Sequence, residues 1–158
     1  MVAILKREFR AYFQSPLGYI LLSAIFFFSG YSFFTYNLYG NTTNMTELFK
    51  LLFPVVLFLV PVLTMRLISE DKRSGTDQLL LTAPVSRLSI VLGKYAAAVA
   101  VFLIGIAVTI VHAAIMSAFA PVDWPVFFGN FIGLFLLGMT LIAIGMALSS
   151  LTESQFVA

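Results

Sequence analysis

The chain has 158 residues, of which 61% are hydrophobic and only 10% are charged, and its mean hydropathy is +1.03. A soluble globular domain carries about a quarter charged residues, so this composition excludes that class and indicates a protein whose solvent is lipid. The chain contains no cysteine, which excludes disulfides and thiolate metal sites.

The first fifteen residues are predicted to form an amphipathic helix that lies in the membrane interface. Pro16 is expected to end this helix, and Gly18 follows where the chain turns into the bilayer. The alternative is a frayed basic tail, which the regular apolar stripe disfavours. Apolar residues recur at helical spacing and polar residues share the other side: Val2, Leu5, Phe9, Tyr12 and Phe13 against Lys6, Arg7, Arg10 and Gln14.

Four later stretches are long and apolar enough to cross a membrane, which takes roughly 20 residues of helix. They are residues 17–36, 51–68, 90–118 and 126–150, and residues 69–88 connect the second to the third. The sequence therefore predicts an all-α integral membrane protein with one interfacial helix and four transmembrane helices. Pro54 and Pro61 are expected to bend the second of these helices, either as a hinge or without any movement.

Basic residues set the predicted orientation, because cytoplasmic flanks carry them in excess. Lys50 is the one basic residue assigned to the outer side, and the other eight are on the opposite side. Both termini and residues 69–88 are therefore predicted to face the cytoplasm. The eight are Lys6, Arg7, Arg10, Arg66, Lys72, Arg73, Arg87 and Lys94.

Ionisable residues inside a membrane usually mark ion or proton pathways, and none is predicted in the deep part of a span except His112. A lone histidine is interpreted as a packing or interfacial residue rather than as a proton relay. This pattern argues against a self-powered, ion-coupled carrier, so the energy for transport would come from elsewhere.

Small residues predict which helices touch, because close backbone approach drives helix association in lipid. The third and fourth spans are expected to form an antiparallel hairpin with their small-residue stripes facing one another. The alternative is that either stripe forms an intermolecular face in a dimer. The stripes comprise Ala96, Ala100 and Ala107 in the third span, and Gly129, Gly133, Ala143 and Ala147 in the fourth.

The stretch "SEDKRSGTDQLLLTAPVS" at residues 69–86 is the one long polar segment between the spans. It is predicted to contain a short helix, "TDQLLLTA", which Pro84 ends. Leu79, Leu80 and Leu81 need a surface to cover them. That surface is either a cytoplasmic partner, or the lipid interface and the inner ends of the chain's own helices.

This segment resembles the permease subunits of ABC transporters of the ABC-2 type, closest to the branch of gliding-motility and copper-enzyme-assembly permeases. The motifs that carry the resemblance are the acidic-basic run, "SGT", the leucine cluster, "PVSR" and "LGK", in this order. The family domain has six spans and this chain ends where a fifth would begin, so the resemblance implies a fragment lacking the C-terminal spans.

The resemblance implies a homodimer or heterodimer of permeases, each engaging a separate ATPase subunit through a cytoplasmic coupling helix. The chain has no GxxxxGK[ST] phosphate loop, so ATP is expected to be bound and hydrolysed by the partner. No catalytic residue, metal, cofactor or nucleic-acid partner is expected in this chain. The residues implied to contact the ATPase subunit are Glu70, Asp71, Arg73, Gly75, Thr76, Asp77, Leu79, Leu80, Leu81, Thr82 and Pro84.

A second function class remains open, in which the chain is a non-transporting membrane anchor that recruits a cytoplasmic partner through the same segment. That function predicts binding without nucleotide-dependent movement of substrate. The residues do not select a substrate, because apolar span surfaces suit a lipid, a drug, a peptide or a lipid-linked polysaccharide equally well.

Overall fold

The computed structural model describes residues 2–14, 16–74 and 87–151 of the chain, and within them the fold is all-α, as predicted. The connections at residues 40–45 and 118–123 are six residues each, so the helices that they join are neighbours in a bundle. The elements are α1 (Val2–Gln14), α2 (Pro16–Ser32), a π-helical segment (Phe33–Tyr39), α3 (Thr46–Ser74), α4 (Arg87–Ser117) and α5 (Trp124–Leu151).

The turn from α1 into α2 is tight, and glycine makes it possible. A Cβ atom at Gly18 would overlap the backbone carbonyl oxygen of Tyr12, so a larger residue would push the two helices apart. Pro16 opens α2, a position where its missing N–H costs no hydrogen bond. Phe9 and Phe13 of the predicted apolar stripe pack against the core of the bundle, which places α1 alongside the other helices.

The first predicted span is longer than expected, because helix continues through the π-helical segment to Tyr39. Asn37 in this segment is only 1% exposed, and its side-chain amide donates to the carbonyl oxygens of Thr42 at 2.9 Å and Asn44 at 3.3 Å. This side chain therefore fixes the following loop against the end of the helix. Nothing in the residue pattern predicted a π-helix here.

Three helices in the described part of the chain are long and apolar enough to cross a membrane: Gly18–Tyr39, Leu88–Ser117 and Trp124–Ser149. Helix α3 contains the second predicted span and is continuous over 29 residues, with Pro54 and Pro61 inside it. It is not among those three, so the count of four spans stays a prediction.

Helix α5 packs mainly against α3 rather than against α4, its neighbour in the chain. Helix α2 packs against α3 and α4, and α1 packs against α4. The α4–α5 contact includes Phe102, whose ring occupies the space where Gly138 lacks a side chain, and Tyr95, whose hydroxyl donates to the Met139 carbonyl oxygen at 3.3 Å. Fully buried side chains of the core include Ile25, Leu48, Leu52, Val56, Ile106 and Ile142.

The predicted packing of the small-residue stripe in the fourth span is corrected by the structure. Gly129 and Gly133 are exposed, and a Cβ atom at either would meet no other atom within 4 Å. Ala143 and Ala147 are exposed as well. At 100° per residue these positions lie about half a turn from Gly138, whose face holds Phe102. The stripe therefore faces away from α4.

The stripe predicted for the third span has no single facing partner in the structure. Ala96, Ala100 and Ala107 are half-buried, whereas their neighbours Ala97 and Ala98 are buried. The physical reason is that α4 contacts three helices, α1, α2 and α5. Its buried surface is therefore divided among them, and the alanine stripe does not pack against one helix alone.

Candidate functional site

A buried ion pair joins α1 to the first turns of α4. The Lys94 ammonium nitrogen donates to a Glu8 carboxylate oxygen at 3.0 Å, and the two side chains are only 6% and 8% exposed. Buried charges are costly unless they are paired, so each residue here depends on the other. The pair fixes the position of α1 against the start of α4, although 86 residues separate the two in sequence.

Tyr12 shares the face of Glu8, one helical turn further along α1. Burial raises the pKa of the Tyr12 phenol well above its ordinary range, and the neighbouring Glu8 carboxylate raises it further. Both effects disfavour a negative charge on Tyr12. The contact between α1 and the bundle therefore combines one ion pair with a neutral, buried phenol.

All five α-helices meet at the level of Tyr12, around a cavity of about 20 Å³. Thr64 of α3 lies at this junction, and its hydroxyl donates to the carbonyl oxygens of Val60 at 3.1 Å and Pro61 at 3.0 Å. Across from it, a Cβ atom at Gly145 would overlap the Thr64 side chain, so α3 and α5 are in close contact here. The cavity is lined by Tyr12, Leu21, Val60, Thr64, Ala98, Phe102 and Ile142.

Helix α3 extends well past this junction on the side of α1. It continues for ten residues from Thr64 to Ser74, a rise of about 15 Å at 1.5 Å per residue. Helix α4 starts at Arg87 and reaches Lys94, the partner of Glu8, within two turns. Helix α3 therefore ends, and helix α4 begins, on the same side of the bundle as α1. We call this side the α1 end.

This arrangement of a short amphipathic helix and three long apolar helices is that of a multi-pass membrane protein. A family model described as "ABC-2 family transporter protein" matches residues 2–158. The chain belongs to the ABC-2 transporter family. No curated protein and no solved structure matches it.

Most of the residues predicted to contact an ATPase subunit lie outside what the structure describes. Glu70, Asp71 and Arg73 belong to the last two turns of α3 by backbone, but their side chains are outside the described part. The remaining eight lie wholly outside it: Gly75, Thr76, Asp77, Leu79, Leu80, Leu81, Thr82 and Pro84. For this ABC-2 family chain, the structure thus gives the helices on either side of the segment.

Sequence reasoning missed Glu8, which is the acidic partner of the only buried ion pair among the described residues. A signal was available, because Glu8 is the one acidic residue of α1 and lies four positions before Tyr12, on the apolar side of the helix. The sequence pattern assigns Lys94 to the orientation charges and to the "LGK" motif, and not to a buried ion pair. Its burial follows from its place inside the third span, where an unpaired ammonium would be costly.

His112 has a packing contact in the structure. Its ring stacks on Phe33 with centroids 4.6 Å apart and an interplanar angle of 11°, so it joins α4 to the π-helical segment. In the described residues, no group of three or more His, Cys, Asp or Glu side chains is placed to hold a metal ion.

Proposed function

We propose that this ABC-2 family chain is the permease subunit of an ABC transporter that works as an exporter. Its energy comes from a separate ATPase subunit that binds and hydrolyses ATP and docks on residues 75–82 as a coupling helix. The observation that supports this function is the α1 end of the bundle, where the end of α3, the start of α4 and the buried Glu8–Lys94 pair occur on one side.

The described contacts provide a path for movement from that segment into the bundle. Helices α3 and α4 are continuous and flank residues 75–86 directly, so a displacement of the segment acts on both. The Glu8–Lys94 pair connects α4 to α1, and the close contact of Thr64 with Gly145 connects α3 to α5. Nucleotide-driven closure of two ATPase subunits would therefore shift these helices as rigid bodies between two states.

The family match supports a proposal for the wider assembly. We propose a dimer of permeases, two copies or two paralogues, in the cytoplasmic membrane of a bacterium, with the N-terminus and residues 69–88 in the cytoplasm. The eight basic residues on that side support this orientation. The motif order in residues 69–94 supports a place near the gliding-motility and copper-enzyme-assembly permeases.

The docking proposal is tested by the variant Leu79→Asp/Leu80→Asp. Burying a leucine contributes roughly 1.5 to 3 kcal/mol, so the double change is expected to weaken ATPase binding by more than about 100-fold. The matched control is Lys72→Ala/Arg73→Ala, which is expected to cost less because a surface ion pair contributes only about 0–1 kcal/mol. The measurement is copurification of the permease with its cognate ATPase subunit, together with transport-coupled ATP hydrolysis.

Retention and coupling of the ATPase by a normally inserted double-aspartate variant would contradict the proposal and make the segment a linker. Binding that depends on the leucines but never moves substrate when ATP is hydrolysed would instead indicate a membrane anchor.

A further inference from the structure

The polar face of α1 is a basic surface. Lys6, Arg7 and Arg10 are exposed there, and with Ala11 and Gln14 they line an open groove of about 540 Å³. Arg10 lies four positions after Lys6 and three after Arg7, so it is a surface neighbour of both, because positions three and four apart share one side of a helix. This groove, which we call the α1 groove, is lined by residues of α1 alone.

The charge of the α1 groove is not neutralised by the described part of the chain. Glu8, the one carboxylate of α1, faces the bundle and is paired with Lys94. The other ion pair found among the described residues joins Lys50 to Glu47 after the first span. Three positive charges therefore face outward without a carboxylate partner in that part, and they favour an anionic ligand.

The position of α1 identifies the source of that anion. Its apolar face packs on the bundle through Phe9 and Phe13, so the α1 groove points away from protein. The first candidate span begins at Gly18, four residues after α1 ends. The α1 groove therefore lies at the height where a span enters the bilayer, which is the level of the lipid headgroups.

We propose that Lys6, Arg7 and Arg10 bind the phosphate-bearing headgroup of an anionic phospholipid, with Gln14 as an additional hydrogen-bond donor. Guanidinium groups suit phosphate because their forked N–H groups can bind two of its oxygens, and lysine adds a point charge. The site depends on the membrane position of α1 and not on ATPase docking, so it stands or falls independently of the proposed function.

The experiment uses the cysteine-free chain with one fluorophore attached at Ala11→Cys, in vesicles of phosphatidylcholine that contain either brominated phosphatidylglycerol or brominated phosphatidylcholine. Trp124, the single tryptophan, is the internal control. Trp124 lies eighteen residues before Ile142, which lines the same cavity as Tyr12. It is therefore about 27 Å along α5 from the level of Tyr12.

The measurement is quenching of each fluorophore by the brominated lipid, and the ratio of quenching by the two lipids gives the lipid preference. At low salt we expect the label at Ala11→Cys to prefer brominated phosphatidylglycerol by roughly tenfold or more, since each cation contributes about fivefold. Trp124 should show no such preference. The variant Lys6→Gln/Arg7→Gln/Arg10→Gln should lose the preference while keeping the same thermal unfolding, because these side chains are exposed. High salt should weaken the preference in the parent protein.

Equal quenching by both lipids at the Ala11 label would overturn the proposal. A preference of the same size at Trp124 would overturn it too, because anionic lipid would then be enriched around the whole protein. Survival of the preference in the triple variant would show that these cations do not form the site. Loss of the preference when a cognate ATPase subunit is added would assign the α1 groove to that protein instead.

Discussion

The buried Glu8–Lys94 pair makes the sharpest prediction about stability, and the exposed Glu47–Lys50 pair is its natural control. Glu8→Gln removes one charge and keeps the shape of the side chain, so the Lys94 ammonium loses the Glu8 carboxylate in a site where it is 6% exposed. Glu47→Gln makes the same chemical change in a pair whose atoms are closer, at 2.6 Å, but whose side chains are 64% and 43% exposed.

Burial rather than distance determines the expected magnitudes. Removing one partner of a buried pair costs about 3–5 kcal/mol, because the remaining charge is desolvated and uncompensated. An exposed pair contributes only about 0–1 kcal/mol. Glu8→Gln is therefore expected to lower the free energy of unfolding several-fold more than Glu47→Gln, although the shorter distance belongs to the exposed pair. The double variant Glu8→Gln/Lys94→Met should recover most of the loss, since no buried charge is left.

The assay is unfolding in mixed micelles, monitored by circular dichroism, for the parent, Glu8→Gln, Lys94→Met and the double variant. A double-mutant cycle then gives the coupling energy between the two residues, expected to be at least about 2 kcal/mol. The exchanged variant Glu8→Lys/Lys94→Glu should be more stable than either Glu8→Lys or Lys94→Glu alone. A Glu8→Gln variant whose stability lies within about 0.5 kcal/mol of the parent, as for an ordinary surface change, would refute the buried ion pair.

Two further predictions concern packing and pH. Gly138→Ala should destabilise the chain by about 1–3 kcal/mol because its methyl group overlaps the Phe102 ring, whereas Gly133→Ala should be neutral or slightly stabilising; equal melting temperatures for the two variants would contradict this. The pKa of Tyr12 is raised above its ordinary value of 10.0 by burial and by Glu8, so the folded state holds that proton more tightly and stability should fall as the pH rises above this value. Tyr12→Phe should remove that decline in alkaline unfolding curves, and an unchanged decline would show that another group causes it.

The parts of the fold that could be predicted from sequence are those where apolar and polar surroundings meet. Helix α1 has an apolar face on the bundle and an exposed polar face, so its pattern shows both its existence and which side is buried. The three apolar helices are predicted by length and composition alone. The all-α class follows from the amphipathic pattern of α1 and the length of the three apolar helices. Both signals depend on the difference between apolar and polar residues.

Within the bilayer this contrast disappears, and the choice of packing face could not be predicted. Lipid and protein core are both apolar, so α5 is hydrophobic all round, and spacing shows only that Gly129 and Gly133 share a face, not what that face meets. Gly138 and Gly145 are seven residues apart and share another face. The structure selects the second pair because Phe102 and Thr64 fill the space beside them.

The charges of α1 also explain why a costly buried pair occurs where an apolar contact would serve stability as well. An apolar stripe alone allows a helix to rotate by some tens of degrees without losing its buried surface. Glu8 and the outward-facing Lys6, Arg7 and Arg10 remove that freedom, because any large rotation would pull the carboxylate from Lys94 and move a cation toward the core. We therefore expect the pair to contribute a fixed register for α1 more than net stability.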